Sequence, residues 1–147
     1  MSANNIKNVV LAAVATVGSA LANALGGWDA VLKVLVFLMA ADYITGLAIA
    51  AIWQKSNKSE GGALDSRASF KGLCKKCAIL MLVGLGVMLD NALKVDYIRT
   101  AIILFFVGNE GLSLVENVVL MGVPCPPFLK NVLEVLKDKN GNGGQDE

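Results

Sequence analysis

Long apolar stretches separated by short polar breaks make up most of the chain. The first runs from Ile6 to Leu25, interrupted by Lys7, Asn8 and small polar residues. Its apolar part, Val9 to Leu25, covers about 25 Å as a helix, slightly less than the ~30 Å hydrocarbon layer of a bilayer. This pattern predicts a first spanning helix, with an interfacial or re-entrant helix as the alternative that the marginal length leaves open. Gly18, Ala22 and Gly26 recur every four residues and offer a flat face for close helix packing. Gly26 to Asp29 reads as a turn with Trp28 at headgroup depth. Val34 to Trp53 is a second span with one charge, Asp42, and with Lys33 placed to snorkel outward. Cys77 to Leu93 is a third span, carrying Asp90 near its end, and Lys94 to Arg99 is a short link of nearly balanced charge. Thr100 to Val123 is a fourth span, long enough to cross with tilt. Pro124, Pro126 and Pro127 stop it, because proline lacks the backbone donor and disfavours helix in the residue before it. Phe128 to Lys139 reads as an amphipathic helix on the inner membrane surface, and Asn140 to Glu147 as a disordered Gly/Asn-rich tail.

The expected fold is therefore all-α: a small polytopic membrane protein of four, or possibly only three, transmembrane helices, with one membrane domain over residues 1–139. The loop from Gln54 to Lys76 carries Lys55, Lys58, Arg67, Lys71, Lys75 and Lys76 against Glu60 and Asp65. That excess marks the cytoplasmic side. Both termini are then cytoplasmic with four spans, and only the N-terminus moves outside if the first segment does not cross. Ser56, Ser59, Gly61 and Gly62 make the first half of the loop flexible. Phe70 to Lys76 reads as a basic helix entry, with Lys71, Lys75 and Lys76 near anionic headgroups. No cleavable signal peptide is expected, since apolar chain continues from Val31.

Composition narrows the chemistry. The residues are 55% hydrophobic and 17% charged, with a net charge of +1, which argues for an integral membrane protein and against a nucleic-acid partner. There is no histidine. Cys74-Lys75-Lys76-Cys77 has metal-like spacing, but zinc needs about four ligands and no second pair is available, so no metal or cofactor is expected. Without histidine or a Gly-rich phosphate loop, no enzyme and no catalytic residue is predicted.

The informative residues are polar ones inside the spans. Charged groups in hydrocarbon cost roughly 2.5–3.5 kcal/mol each on insertion scales, so they normally face a partner helix or water. On a helical wheel Asn109, Glu110, Ser113, Glu116 and Asn117 fall within an arc of about 120°. The other side of that helix carries Gly111, Leu114, Val115 and Val118 and is free for lipid or a neighbour. Asp42 and Glu110 come within roughly one turn of the same depth near the midplane, with Asp90 nearer the outer rim. No lysine or arginine is expected at that depth. The carboxyls should then be protonated, hydrogen-bonded to Asn109, Asn117, Thr45 or Tyr43, or facing water. Two roles fit: polar glue within a monomer, or a stripe that seals helix on helix before assembly and faces an aqueous lumen afterwards.

Four runs carry a family resemblance: Asp42-Tyr43-Ile44-Thr45-Gly46; Ser69-Phe70-Lys71-Gly72-Leu73-Cys74-Lys75-Lys76; Asn109-Glu110-Gly111-Leu112-Ser113-Leu114-Val115-Glu116-Asn117; and Gly122-Val123-Pro124-Cys125-Pro126. Over about Gly27 to Leu136 the chain resembles a bacteriophage holin family that also includes the toxin-secretion holins of clostridia. The resemblance implies a protein of the bacterial cytoplasmic membrane that forms homo-oligomers and opens lesions for a phage endolysin, or releases a toxin. Asp42 and Gly46 match its second-helix motif, and Asn109, Glu110, Ser113, Glu116 and Asn117 its fourth. The next methionine usable as an internal start, Met39, lies inside a span, so a shorter antiholin from that start is not expected. An ion or proton channel and a regulatory membrane subunit remain the rival functions.

Overall fold

The computed structural model describes residues 3–53 and 66–141. The expected flexible loop half lies outside the described residues, as does most of the expected disordered tail. Five α-helices follow in order: α1 (Ala3–Ala24), α2 (Ala30–Ala48), α3 (Ser66–Leu93), α4 (Ile98–Leu120) and α5 (Pro127–Gly141). A π-helical turn over Ile49–Trp53 extends α2. Among the described residues there is no strand, and four helices are long and apolar enough to cross a membrane.

The turn between α1 and α2 follows from its sequence. Gly26 and Gly27 adopt positive φ of 84° and 101°, a conformation that side chains with a Cβ resist. Gly27 N–H closes on the Ala22 carbonyl at 2.8 Å, which satisfies the end of α1. Asp29 then caps α2, its Oδ1 accepting from Leu32 N–H at 2.9 Å.

Three stripes at helical spacing meet in the core: Leu32, Leu35 and Met39 of α2; Ile79 and Val83 of α3; Ile103 and Val107 of α4. Contacts of α4 with α2 and α3 close this three-helix unit. Gly86 brings α3 and α4 together, for a Cβ at that position would stand 2.9 Å from Arg99 Cα. By contrast, α1 is exposed along nearly its whole length, and nothing lies within 4 Å of a Cβ added at Gly18. Of the small-residue face, Gly18 is thus unused within the monomer, whereas Gly26 lies against Arg99.

Two elements add to the expected pattern. The helix carrying the third span begins at Ser66, four residues before the expected helix entry at Phe70, so the second half of the polar loop is helical. The apolar run sets the length that fits hydrocarbon, whereas the helix extends N-terminally from that run through Phe70 to Lys76. The amphipathic helix, α5, forms as expected and packs against α4. The turn at Met121–Pro126 sends it back along α4, and Leu133 packs into the space left by Gly111. On the face of α4 expected to meet lipid or a neighbour, the neighbour at Gly111 is α5 of the same chain.

Candidate functional site

The stripes of α2, α3 and α4 that build the apolar core each continue into a polar residue toward one end of the bundle. Asp42 follows Leu32, Leu35 and Met39; Lys76 precedes Ile79 and Val83; Glu110 follows Ile103 and Val107. The three meet. Lys76 Nζ donates to Asp42 Oδ2 at 2.8 Å and also to Glu110 Oε2. Their side chains are 12% (Lys76), 5% (Asp42) and 9% (Glu110) exposed, so water does little to screen the pairing. Two carboxylates face one ammonium, and neutral donors add to it. Ser113 Oγ donates to Asp42 Oδ1 at 2.6 Å, and Asn117 Nδ2 reaches the same oxygen at 3.0 Å. Asn117 Nδ2 also reaches Thr45 Oγ1 at 3.0 Å and the Asp42 carbonyl at 3.2 Å. Thr45 in turn donates to the Ala41 carbonyl at 2.8 Å. Among the described residues no buried side-chain nitrogen or oxygen lacks a partner.

This geometry overturns the expectation that no basic residue reaches Asp42 and Glu110. It also moves Lys76 from the headgroup region, while Lys71 and Lys75 stay exposed. The physical reason is register: Lys76 lies three residues before Ile79 and seven before Val83, on the inward stripe of α3, and its long stem carries the ammonium to the carboxylates. A signal was present in that spacing. Reading the lysine only as part of a basic loop conceals it.

The stripe of α4 divides. Glu110, Ser113 and Asn117 fall within about 60° on the wheel and face α2. Asn109 and Glu116 lie on the flank, Asn109 half-buried and Glu116 exposed. Gly46 is half-buried beside the cluster in sequence. Asp90 belongs to the opposite end, where its carboxylate accepts from Ile98 N–H at 2.9 Å and Arg99 N–H at 3.0 Å. It therefore caps α4 from another helix.

A second cluster, absent from the sequence reading, surrounds Arg99. Its guanidinium donates to the Leu25 carbonyl at 2.5 Å, to Asp29 Oδ2 at 2.6 Å and to the Gly27 carbonyl at 3.2 Å. The hydrogen bond from Arg99, with burial opposing it, holds the Asp29 carboxyl below its ordinary value of 3.8. A Cβ on Gly26 would stand 2.7 Å from Arg99 Nε, so the glycine also makes room for the clamp. Arg99 lies four residues before Ile103 and eight before Val107, again on an inward stripe. In sequence it belongs to a link of balanced charge, because its partners are 70 or more residues away.

Such a chain is a small helical protein built to cross a bilayer several times, with ion-paired polar clusters at both ends of a three-helix core. Comparison with known proteins agrees: residues 19–138 match the bacteriophage holin family, and the chain belongs to it. It is similar to Lin0175 of Listeria innocua, 38% identical over 80% of this chain and 79% of that protein. It is similar to a 14.9 kDa Clostridium perfringens protein encoded in the nagH 3' region, 34% identical over 92% of this chain and 98% of that one. A probable holin of Bacillus phage phi105 is 29% identical over 74% of this chain and 76% of its own length. No solved structure matches. Family and fold together fit a multi-pass membrane protein.

Proposed function

We propose that the chain accumulates in the bacterial cytoplasmic membrane, associates with further copies and opens lesions through which an endolysin, or a toxin, leaves the cell. Membership of the holin family over most of the chain supports this reading. The observation that carries it further is the sealed Asp42–Lys76–Glu110 cluster. With these charges paired internally, the core of α2, α3 and α4 resides in hydrocarbon without an uncompensated charge at the cluster. Asn109 and Glu116 stand outside the cluster and are the stripe residues left to meet other copies or water. Glu110→Gln and Glu116→Gln should each shift the time of lysis, the first by loosening the bundle and the second by changing contacts between bundles.

The test is controlled expression in bacteria with and without an endolysin, with release of a folded cytoplasmic protein as the readout. Leakage of ions alone would replace this reading with a selective channel. An intact membrane would leave a regulatory subunit.

A further inference from the structure

Between Phe128 and Asp138 the outward sides of α5 are of opposite character. Taking Phe128 as the origin of a helical wheel, Leu133 lies at about 140° and meets α4. Phe128, Val132 and Val135 lie within about 60° on one flank and are all exposed. Lys130, Glu134 and Asp138 lie between about 200° and 280° on the other flank and are exposed as well. A helix in contact with one neighbour thus offers hydrocarbon one flank and water the other.

The depth of the contact matters. Leu133 occupies the space beside Gly111, where a Cβ would be 2.7 Å from Leu133 Cδ2. Gly111 lies about 13 Å along α4 from its end at Leu120. All of α4 spans about 34 Å, little more than the hydrocarbon thickness. A bilayer that covers α4 therefore also reaches the Leu133–Gly111 contact. Glu134 and Asp138 lie beyond Leu133 and deeper still. Facing lipid there is costly for a carboxylate, and the apolar packing of α5 along α4 offers little compensation, because acyl chains receive apolar side chains equally well. The docked position suits a membrane only where the charged flank meets water.

We infer that α5 lines the water path of the lesion, with Lys130, Glu134 and Asp138 turned to the lumen and Phe128, Val132 and Val135 turned to lipid or a neighbouring copy. This inference rests on the lesion-forming reading. It assigns the lining to α5, since Glu110, Ser113 and Asn117 are engaged inside the bundle.

The test uses the full chain with Cys74, Cys77 and Cys125 replaced by serine, in phosphatidylethanolamine–phosphatidylglycerol vesicles loaded with a fluorescent dextran. Nitroxides at Leu112→Cys and Glu134→Cys report docking, and a membrane-impermeant charged thiol reagent at Asp138→Cys reports the lumen. A close spin pair, together with dextran release slowed several-fold by the reagent, is the expected result. Gly111→Val, which fills the place of Leu133, should separate the pair. Widely separated labels in the releasing protein, meaning α5 on the membrane surface or on a second copy, overturn the inference. So does a close pair with release unaffected by the reagent. A close pair in vesicles that release nothing ends the lesion reading and the lining role with it, while leaving α5 docked.

Discussion

Replacing Lys76 with methionine removes the ammonium from between two carboxylates and keeps most of the stem volume. In the native bundle that ammonium is the donor common to Asp42 and Glu110, and all three side chains are largely buried. Breaking a buried ion pair by deleting one partner costs about 3–5 kcal/mol, because the remaining charge is left without compensation. Here two like charges remain, so the loss should fall in that range, roughly two to four powers of ten in the unfolding equilibrium. Removing the charges together has a different outcome. Lys76→Met with Asp42→Asn and Glu110→Gln leaves uncharged groups and should recover most of the loss, since uncharged replacements of a buried ionic cluster are often neutral or stabilising. The assay is SDS-titrated unfolding of purified protein in mild detergent, followed by far-UV circular dichroism. The reasoning fails if Lys76→Met lies within about 1 kcal/mol of the parent, or if the triple variant is no more stable than the single one.

Further outcomes concern the other end of the bundle. Arg99→Met removes three side-chain hydrogen bonds to the α1–α2 turn and should cost about 2 kcal/mol or more. Hydrogen exchange should rise in residues 25–30 while the α2–α4 core stays protected; unchanged exchange there would count against the clamp. Gly86→Val places a Cβ 2.9 Å from Arg99 Cα and should destabilise by about 1–3 kcal/mol, read as a lower thermal midpoint in detergent. Asp29 has a folded pKa below 3.8. Its contribution is therefore present in full above the unfolded value and is lost as pH falls through the depressed folded one. Stability should be insensitive to this group between pH 5 and 8 and should fall below about pH 4, a loss that acid titration of Asp29→Asn should not show.

Much of the architecture follows from the sequence by itself, because a bilayer fixes how long an apolar helix must be and punishes any polar group inside it. That constraint predicts four long helices with Asp42 and Glu110 at similar depth, and glycine chemistry predicts the turn at Gly26 and Gly27; the fourth span, expected to run to Val123 and stop at Pro124, ends at Leu120 instead, where Gly122 closes it. Only the tertiary structure decides which charges meet. Lys76 belongs to a basic loop by composition and to the inward stripe of α3 by register, and the second property matters only when α2 and α4 bring carboxylates to it. Arg99 is likewise a link residue in sequence and a three-way clamp in space. Gly122, at a positive φ of 88°, closes α4 at Leu120, ahead of the prolines that keep it from resuming, and neither says where the chain goes next. The direction of α5 follows from its packing along α4, where Leu133 fills the gap at Gly111, a contact neither residue announces by itself. Pairings of this kind depend on distances between helices, and the apolar pattern along one helix carries no information about those distances.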